Sequence, residues 1–383
     1  MPTVPVRHAP CHPRECRNAV DTLVDMSMPS DLERIEQRID DLVREHLAVP
    51  DAEIAASCRD VLHEVATQAV VSSQGGKRLR ARLALAAFDA AGLPVTSQAR
   101  DAMTDLACAI EVFQTAALVH DDIIDDSDLR RGKPSAHRAL AQQTHSESIG
   151  RGLGLMLGDI LATVSISIAN AAASSLGNPD TLRSVFLGMQ RDVSVGQVLD
   201  LAVELTPLSD PARLADASLN VFRWKTASYT TMAPLQLGLT AAGTDPQVAG
   251  PLSERIGKPL GVAFQLADDL LDVIGYTKNT GKPVGGDIKE GKRSVLLADA
   301  LALSNADDRS ELTAMYEAPS RDARQVRRGI EIFTTSGAVE LSRERIRKLW
   351  AQAGQAIAEA ELPQTPRDML LEACRTFIPD SCL

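Results

Sequence analysis

Five aspartates occupy the eight positions from 121 to 128, directly after an apolar stretch of the chain. Asp121 and Asp125 are four residues apart, so on a helix their carboxylates lie on one face, and Asp122 flanks them. The negative end of the helix dipole disfavours each carboxylate by about 0.3–1 kcal/mol, and the carboxylates also repel one another. A magnesium ion, which prefers hard oxygen ligands, would offset both effects.

The same arrangement recurs in the segment FQLADDLLD, residues 264–272. Asp268 and Asp272 are again four residues apart, Asp269 lies between them, and the surrounding helical pattern is apolar. For the first cluster alone, a solvated acidic helix end is the alternative interpretation. Two such faces favour a different one, because together they can hold several metal ions around a diphosphate.

Basic and donor residues follow or precede these clusters. Gly75 and Gly76 come just before a predicted helix, whose free N–H groups and dipole attract phosphate, and Lys77 and Arg80 add positive charge. Each group alone is typical of a solvated surface. Together they suffice for two diphosphates, one held through metal ions and one by cations alone; the remaining candidates are Arg130, Arg131, Lys225, Thr226, Lys282 and Lys292.

Helical periodicity dominates the elements that must position these side chains, and no strand alternation is evident. The pattern predicts helices over 31–47, 51–70, 77–92, 97–127, 149–176, 180–203, 211–242 with a break near Lys225, 246–275, 290–304, 321–335, 337–360 and 366–377. A Gly- and Lys-rich loop spans 275–293, and long loops inside compact domains are usually functional. The fold class is therefore all-α, a single large antiparallel helical bundle.

The domain organisation follows from composition. The chain has 383 residues, of which 44% are hydrophobic and only 3% aromatic. Residues 1–29 are rich in Pro and mixed charge and are predicted to form a disordered tail. Residues 30–383 are predicted to form one helical domain.

Charge and cysteine usage narrow the class of protein. The formal net charge is −11 without a basic stripe, which disfavours nucleic-acid binding. Six cysteines without CxxC spacing are typical of reduced thiols, so we expect a cytoplasmic protein. No apolar run of about 18 residues and no secretory signal is visible, so no transmembrane segment is expected.

The ordered motifs resemble those of the trans-isoprenyl diphosphate synthases, also called polyprenyl synthetases. The resemblance covers about residues 72 to 300 and rests on GGKRLR, LVHDDIIDDSDLRRG, VGQVLDL, KTASY, FQLADDLLD and GKPVGGDIKEGK. It implies the isoprenoid synthase bundle with a central cavity, and a homodimer. It also implies that an allylic diphosphate (dimethylallyl, geranyl or farnesyl) ionises and is attacked by isopentenyl diphosphate. The implied cofactor is Mg²⁺, about three ions with substrate bound.

The resemblance also implies roles for individual residues. The metal motifs are Asp121, Asp122, Asp125 and Asp268, Asp269, Asp272, and the catalytic candidates are Lys225, Asp121 and Asp268. The isopentenyl diphosphate pocket is Lys77, Arg80, Gln114, often His in the family, and Arg131. The allylic diphosphate pocket is Arg130, Lys225, Thr226, Gln265, Lys282 and Lys292, and the helix with Gln197 and Asp200 supports the catalytic lysine. The extra acids Asp126 and Asp128 are expected to be solvated.

Product length in such enzymes depends on the helix that carries the first motif. Ala116 and Ala117 lie one turn before Asp121, where a farnesyl-stopping enzyme commonly has an aromatic residue. Their small side chains leave room for one more turn, about 5.4 Å, which is close to one isoprene unit. Phe113 would then form the floor, and the expected product is geranylgeranyl diphosphate or somewhat longer. The alternative is that the alanines only allow close helix packing.

Three other functions remain open from sequence. A class I terpene cyclase also ionises allylic diphosphates, but it usually pairs its Asp motif with an Asn/Ser/Glu motif and needs no second diphosphate pocket. A non-catalytic regulatory subunit of a prenyl synthase would not need both Asp motifs intact. A scaffold that binds divalent cations for stability would leave the basic groups unexplained.

Overall fold

The computed structural model describes residues 31–48, 53–91, 96–275 and 284–383, and these form a helical bundle. The predicted tail 1–29 and Lys282 lie outside the described residues. The helices of the first half are α1 Asp31–Leu47, α2 Ala56–Ser73, α3 Leu79–Ala90, α4 Ser97–Ile124, α5 Ala136–Thr144, α6 Glu147–Ala173 and α7 Pro179–Val203. Two short antiparallel strands, β1 Leu129–Arg130 and β2 Lys133–Pro134, connect α4 to α5.

The second half contains a segment of π-helix between two α-helices. The order is α8 Pro211–Val221, the π segment Phe222–Met232, α9 Ala233–Ala241, α10 Pro246–Ile274, α11 Gly286–Glu290, α12 Val295–Leu303, α13 Ala306–Glu317, α14 Ala323–Thr335, α15 Ala338–Ala358 and α16 Gln364–Arg375. The predicted break near Lys225 is thus a change from α- to π-helical winding rather than a gap. A 3₁₀ turn, Asp380–Cys382, follows α16.

Some predicted elements are wrong in detail. The helix predicted over 290–304 begins only at Val295, and the preceding α11, Gly286–Glu290, lies in the predicted loop and ends where Gly291 adopts a left-handed conformation with φ +83°. Helices α5 and α13 and the β1–β2 hairpin were not predicted. Helix α3 begins two residues later than predicted, since Arg78 has φ +49°. Short elements carry weak periodic signals, which tertiary packing overrides.

The hydrophobic core has two parts, one around α4 and α6 and one around α10, α12 and α15. Helices α3 and α9 join them, because successive faces of each helix contribute to different parts. Leu83 and Leu235 belong to the α10 side, whereas Ala84 and Leu237 belong to the α4 side. The two Asp-bearing helices α4 and α10 are therefore held in one packed body.

Helices α4 and α6 are each long and apolar enough to span a membrane by length and composition, whereas no transmembrane segment was expected from the sequence. In α4, 72% of the most apolar window is buried inside the fold, so its apolar side chains are used by the core. In α6 the corresponding share is 44%. Much of the apolar surface of α6 therefore remains on the outside of the chain.

Candidate active site

The first Asp cluster lies at the C-terminal end of α4. Asp121 accepts a hydrogen bond from Lys225 Nζ at 3.0 Å, and this lysine lowers the pKa of Asp121 although burial acts in the opposite direction. Asp125 is half-buried, and burial together with the charge of Asp121 raises its pKa to about 6. The two carboxylates predicted to share a face are thus electrostatically coupled.

Asp122 points away from that face. Its carboxylate is almost fully buried and accepts hydrogen bonds from Arg130 Nε, at 3.0 and 3.2 Å, and from Arg130 Nη2. This ion pair ties the β1–β2 hairpin to α4. Asp122 therefore contributes to the site through Arg130 in this structure, while its predicted role as a metal ligand stays a prediction.

Asp126 and Asp128 are exposed, as the sequence suggested, and both also form ion pairs. Arg138 of α5 pairs with Asp126 at 3.3 Å and with Asp128 at 3.0 Å. Arg151 of α6 also approaches Asp126, at 3.7 Å. These ion pairs connect the segment between α4 and the hairpin to α5 and α6. Sequence spacing did not reveal Arg138 and Arg151 as partners of these two aspartates.

Lys225, on the π segment, bridges two carboxylates. Its Nζ lies 3.0 Å from Asp121 of α4 and 2.5 Å from Asp200 of α7. Burial opposes the charged form of Lys225, but these two carboxylates raise its pKa above the usual value. The ammonium is therefore charged and points at the first Asp motif. Gln197, one turn before Asp200 on α7, is half-buried.

Glycines allow the π segment to pass closely between α7 and α10. A Cβ atom on Gly196 of α7 would lie 2.3 Å from Lys225 N and 2.5 Å from Lys225 Cα. A Cβ on Gly261 of α10 would lie 2.5 Å from Ala227 Cα. Because the contacted atoms belong to the backbone and cannot move aside without shifting the helix, these close contacts set the position of Lys225 and Thr226.

The second Asp cluster lies on α10, and its three carboxylates have different surroundings. Asp268 is exposed, whereas Asp269 is buried and accepts a hydrogen bond from Gln265 Nε2 at 2.8 Å. Gln265 Oε1 in turn accepts from Thr226 Oγ1 at 2.9 Å. Burial, reinforced by the charge of Asp287, raises the pKa of Asp269 well above its usual range.

Asp272 contacts the segment that follows α10. Its two carboxylate oxygens accept hydrogen bonds from Gly286 N and Asp287 N, both at 3.0 Å. These contacts hold the first turn of α11. They bring Asp287 into the cavity lining together with Asp269. The sequence analysis missed Asp287, although its position directly after the Gly285–Gly286 pair of the loop could have indicated it.

Lys292 follows α11 and lies among carboxylates. Its Nζ is 3.1 Å from Glu290, 3.5 Å from Asp287 and 3.8 Å from Asp125. The next residue, Arg293, fastens this segment to the end of α7, because its backbone and side chain approach Glu204 and its guanidinium donates to the Thr206 carbonyl. Lys292 was predicted from the sequence, whereas Arg293 and Glu204 were not.

One aspartate of each cluster, Asp125 and Asp269, lines a common cavity of about 150 Å³. Its lining includes Asp125, Asp200, Lys225, Thr226, Gln265, Asp269, Asp287 and Lys292. Residues separated by more than 140 positions in sequence thus meet around one space. Asp268 lies outside this lining.

The carboxylate oxygens around this cavity are suitable ligands for magnesium. The Oδ2 atom of Asp269 is buried and lacks a hydrogen-bond partner among the described residues, and a cation would supply one. No group of three acidic, His or Cys side chains converges as a preformed metal site in the described ranges. Mg²⁺ suits this arrangement, because it takes one or two protein carboxylates and completes its octahedron with water and phosphate oxygens.

The second predicted phosphate pocket lies at the start of α3. Lys77 is exposed there, and Arg131 donates hydrogen bonds to the carbonyls of Gln74 and Gly75 at 2.7 and 2.8 Å. Arg80 points inward instead, to Thr230 Oγ1 at 2.7 Å and over the Tyr229 ring at 4.1 Å. Gln114 is half-buried on α4. The structure brings Lys77 and Arg131 to the same loop.

The residues of α4 that were predicted to set product length pack into the hydrophobic core. Phe113 and Ala116 are 6% and 1% exposed, and neither is part of the cavity lining. The Phe113 ring meets the edge of Tyr229 with the centroids 6.2 Å apart and the planes at 90°. Tyr229, which the sequence analysis did not single out, therefore packs against the residue predicted to form the floor.

Comparisons with known proteins agree with this geometry. The family model described as polyprenyl synthetase matches residues 60–333. The chain belongs to the polyprenyl synthetase family. It is a prenyltransferase that elongates isoprenoid diphosphates, and the expectation of an all-α isoprenoid synthase bundle is confirmed.

Relatives and solved structures cover most of the chain. The short chain isoprenyl diphosphate synthase of Methanothermobacter thermautotrophicus is 30% identical over 305 residues, which are 78% of this chain and 86% of that protein. The geranylgeranyl diphosphate synthase of Mycobacterium tuberculosis is 29% identical over 302 residues, 78% and 80% of the two chains. The geranylgeranyl pyrophosphate synthase of Corynebacterium glutamicum, solved with isoprenyl diphosphate and magnesium, has a TM-score of 0.76 and 29% identity, and the match covers 91% of this chain and 99% of that one.

Gly196→Ala tests whether backbone contact positions Lys225. The added methyl would push the π segment away from α7, and we expect kcat to fall by about 10²-fold, the usual cost of a misplacement near 1 Å. Gly188→Ala on the same helix is the control, because no atom lies within 4 Å of its added Cβ. Steady-state kinetics of both variants would check this; equal rates would contradict the proposed contact.

Proposed function

We propose that this prenyltransferase is a homodimeric geranylgeranyl diphosphate synthase that condenses isopentenyl diphosphate with dimethylallyl, geranyl or farnesyl diphosphate. The observation that carries this proposal is the single cavity in which carboxylates of both Asp motifs meet Lys225 and Lys292. Such a cavity suits a diphosphate leaving group, since metal ions and ammonium groups can both neutralise its charge. The solved C. glutamicum relative was crystallised with isoprenyl diphosphate and magnesium, which supports the same substrate class.

Asp121, Asp125 and Asp269 are the residues that would hold Mg²⁺ at this site, with Asp122, Asp268 and Asp272 as further predicted ligands. About three bound ions would supply Lewis-acid stabilisation of the charge on the leaving diphosphate. Lys225 and Lys292 are already charged and directed into the cavity, so they can donate to the same oxygens. Thr226 and Gln265 fix the orientation of Asp269 through their hydrogen bonds.

The second diphosphate would be held without metal by Lys77 and Arg131 at the start of α3. In the reaction the allylic C–O bond breaks, the isopentenyl double bond attacks the resulting cation, and one proton leaves to form the new double bond. Packed apolar residues exclude water from the cation, which would otherwise be quenched.

A product assay with purified protein tests the reaction. With Mg²⁺, isopentenyl diphosphate and an allylic primer, we expect elongation to an all-trans polyprenyl diphosphate, and chelation of metal should stop turnover while the helix content persists. Asp269→Asn should lower kcat by about 10²-fold or more, whereas the exposed Asp126→Asn should not. Cyclic hydrocarbons made without isopentenyl diphosphate would indicate a cyclase; no turnover at all would indicate a regulatory subunit, and loss of helix on chelation a scaffold.

Phe113 and the small residues before the first motif support the proposed product length. Between Asp121 and Phe113 α4 rises about 12 Å, and Ala116 and Ala117 present no bulk in this interval. The Phe113–Tyr229 contact then closes the path. This geometry favours a product one isoprene unit longer than farnesyl diphosphate.

Phe113→Ala should lengthen the product, because it removes the ring that closes the path. Ala116→Phe should shorten it towards farnesyl diphosphate, because it places a ring one turn nearer Asp121. Chromatography of the dephosphorylated products, with circular dichroism as a control for folding, would measure both effects. An unchanged product from both variants would remove α4 as the determinant of length.

The proposed homodimer rests on an apolar surface of α6 and α7. Exposed large side chains on these helices include Leu155, Met156, Leu187, Val195, Val198 and Leu201. On α7 they follow one helical face, and a stripe of this kind on two adjacent helices is typical of a subunit interface.

Val198→Asp would place a charge in this surface, and we expect it to shift the protein from dimer to monomer in analytical ultracentrifugation. Val198 is 66% exposed in the isolated chain. The control is Val248→Asp at the start of α10, which is 55% exposed and lies outside the α6–α7 surface. A wild-type monomer, or a Val198→Asp dimer of unchanged affinity, would contradict this interface.

A further inference from the structure

The basic loop Gln74–Arg78, which precedes α3, has an unusual backbone. Gly75, Gly76 and Arg78 have φ values of +74°, +107° and +49°. Glycine adopts such angles without penalty, but Arg78 does not, because left-handed backbone costs a residue with a Cβ atom about 1 kcal/mol or more. Something in the surrounding structure must hold Arg78 in this conformation.

The Arg78 side chain turns inward and is 1% exposed. Its Nε and Nη2 donate to the two carboxylate oxygens of Glu36 at 2.7 and 2.8 Å, which is a bidentate ion pair. Its Nη1 lies 3.6 Å from Glu111 Oε2 on α4, and Nη2 also donates to the Ser73 carbonyl. Removing one of these acceptors from a buried guanidinium would strongly destabilise the fold.

Glu36 also holds the backbone of the loop directly. Its Oε2 accepts a hydrogen bond from Gly75 N at 3.3 Å. Although burial acts in the opposite direction, Arg78 and the Gly75 N–H lower the pKa of Glu36 and keep it ionised. From the other side Arg131 donates to the carbonyls of Gln74 and Gly75, so the loop lies between Arg131 and Glu36.

Glu36 belongs to α1, outside residues 60–333 that match the family model. We propose that Glu36 is a positioning residue for the second substrate: through Gly75 and Arg78 it sets the loop on which Lys77 and Arg131 meet the diphosphate of isopentenyl diphosphate. This inference rests on the proposed function. Because Glu36 neutralises Arg78, the positive charge that remains on the outer side of the loop is that of Lys77 and Arg131.

The expected effect is specific to one substrate. In Glu36→Gln the amide cannot accept from Gly75 N and both Arg78 donors at once, so the loop loses part of its support. We expect the KM for isopentenyl diphosphate to rise by about 10-fold, with kcat and the KM for the allylic diphosphate within about 2-fold of wild type. Titration calorimetry with isopentenyl diphosphate, without metal or primer, should show the same loss of affinity.

Asp105→Asn is the matched control. Asp105 of α4 makes a bidentate ion pair with Arg38 of α1 at 2.6 and 2.7 Å, so its loss weakens the same helix–helix contact away from the loop. We expect it to lower thermal stability about as much as Glu36→Gln does, without changing either KM. Glu36→Asp, which keeps the charge, should recover part of the affinity.

Several outcomes separate this inference from the proposed function. If Glu36→Gln leaves the KM for isopentenyl diphosphate unchanged, or if Asp105→Asn raises it equally, α1 has only a structural role and the inference is overturned. If the wild-type enzyme does not use isopentenyl diphosphate with any allylic primer, the proposed function fails instead. An active wild-type enzyme, in which Glu36→Gln raises the KM for isopentenyl diphosphate and Asp105→Asn does not, would support both the inference and the proposed function.

Discussion

The active site of this polyprenyl synthetase depends on charge balance in one small cavity. Carboxylates from α4, α7, α10 and α11 converge there, and without compensation their repulsion would oppose folding. Lys225 lies between Asp121 and Asp200, and Lys292 lies among Asp125, Asp287 and Glu290. The cavity lining nevertheless holds five acidic residues, Asp125, Asp200, Glu204, Asp269 and Asp287, against three basic ones, Lys225, Lys292 and Arg293. The excess negative charge is what makes the cavity receptive to divalent cations.

Close backbone packing makes that charge balance possible. The lysine that balances Asp121 is on a π-helical segment, which Gly196 and Gly261 allow to pass between α7 and α10 at distances that no side chain could occupy. Lys292 depends in the same way on a segment that Asp272 and Arg293 fasten at its two ends. These glycines and the contacts of Asp272 and Arg293 thus set the positions of the Lys225 and Lys292 ammonium groups.

The two proposed diphosphate pockets differ in their electrostatic design. The first is rich in carboxylates, so in the proposed function an anion would bind there together with metal ions. The other is a glycine-rich loop whose buried Arg78 is neutralised by Glu36 and Glu111, leaving Lys77 and Arg131 for the ligand. Under the proposed function this difference would give each substrate its own pocket, since the charge of the first pocket repels a metal-free diphosphate and that of the second attracts it.

Sequence alone was sufficient for the fold class and the type of chemistry. The 3.6-residue periodicity and the two Asp clusters with four-residue spacing are local signals, and they placed helices where α4 and α10 are found. Tertiary structure decided the roles of individual acids: Asp122 pairs with Arg130, Asp272 holds α11, Asp268 is exposed and Asp287 joins the cavity. It also brought Glu36 to Gly75 and Arg78, and Arg293 to Glu204. The physical reason is that burial and ion pairing depend on neighbours distant in sequence, which spacing along one helix cannot specify.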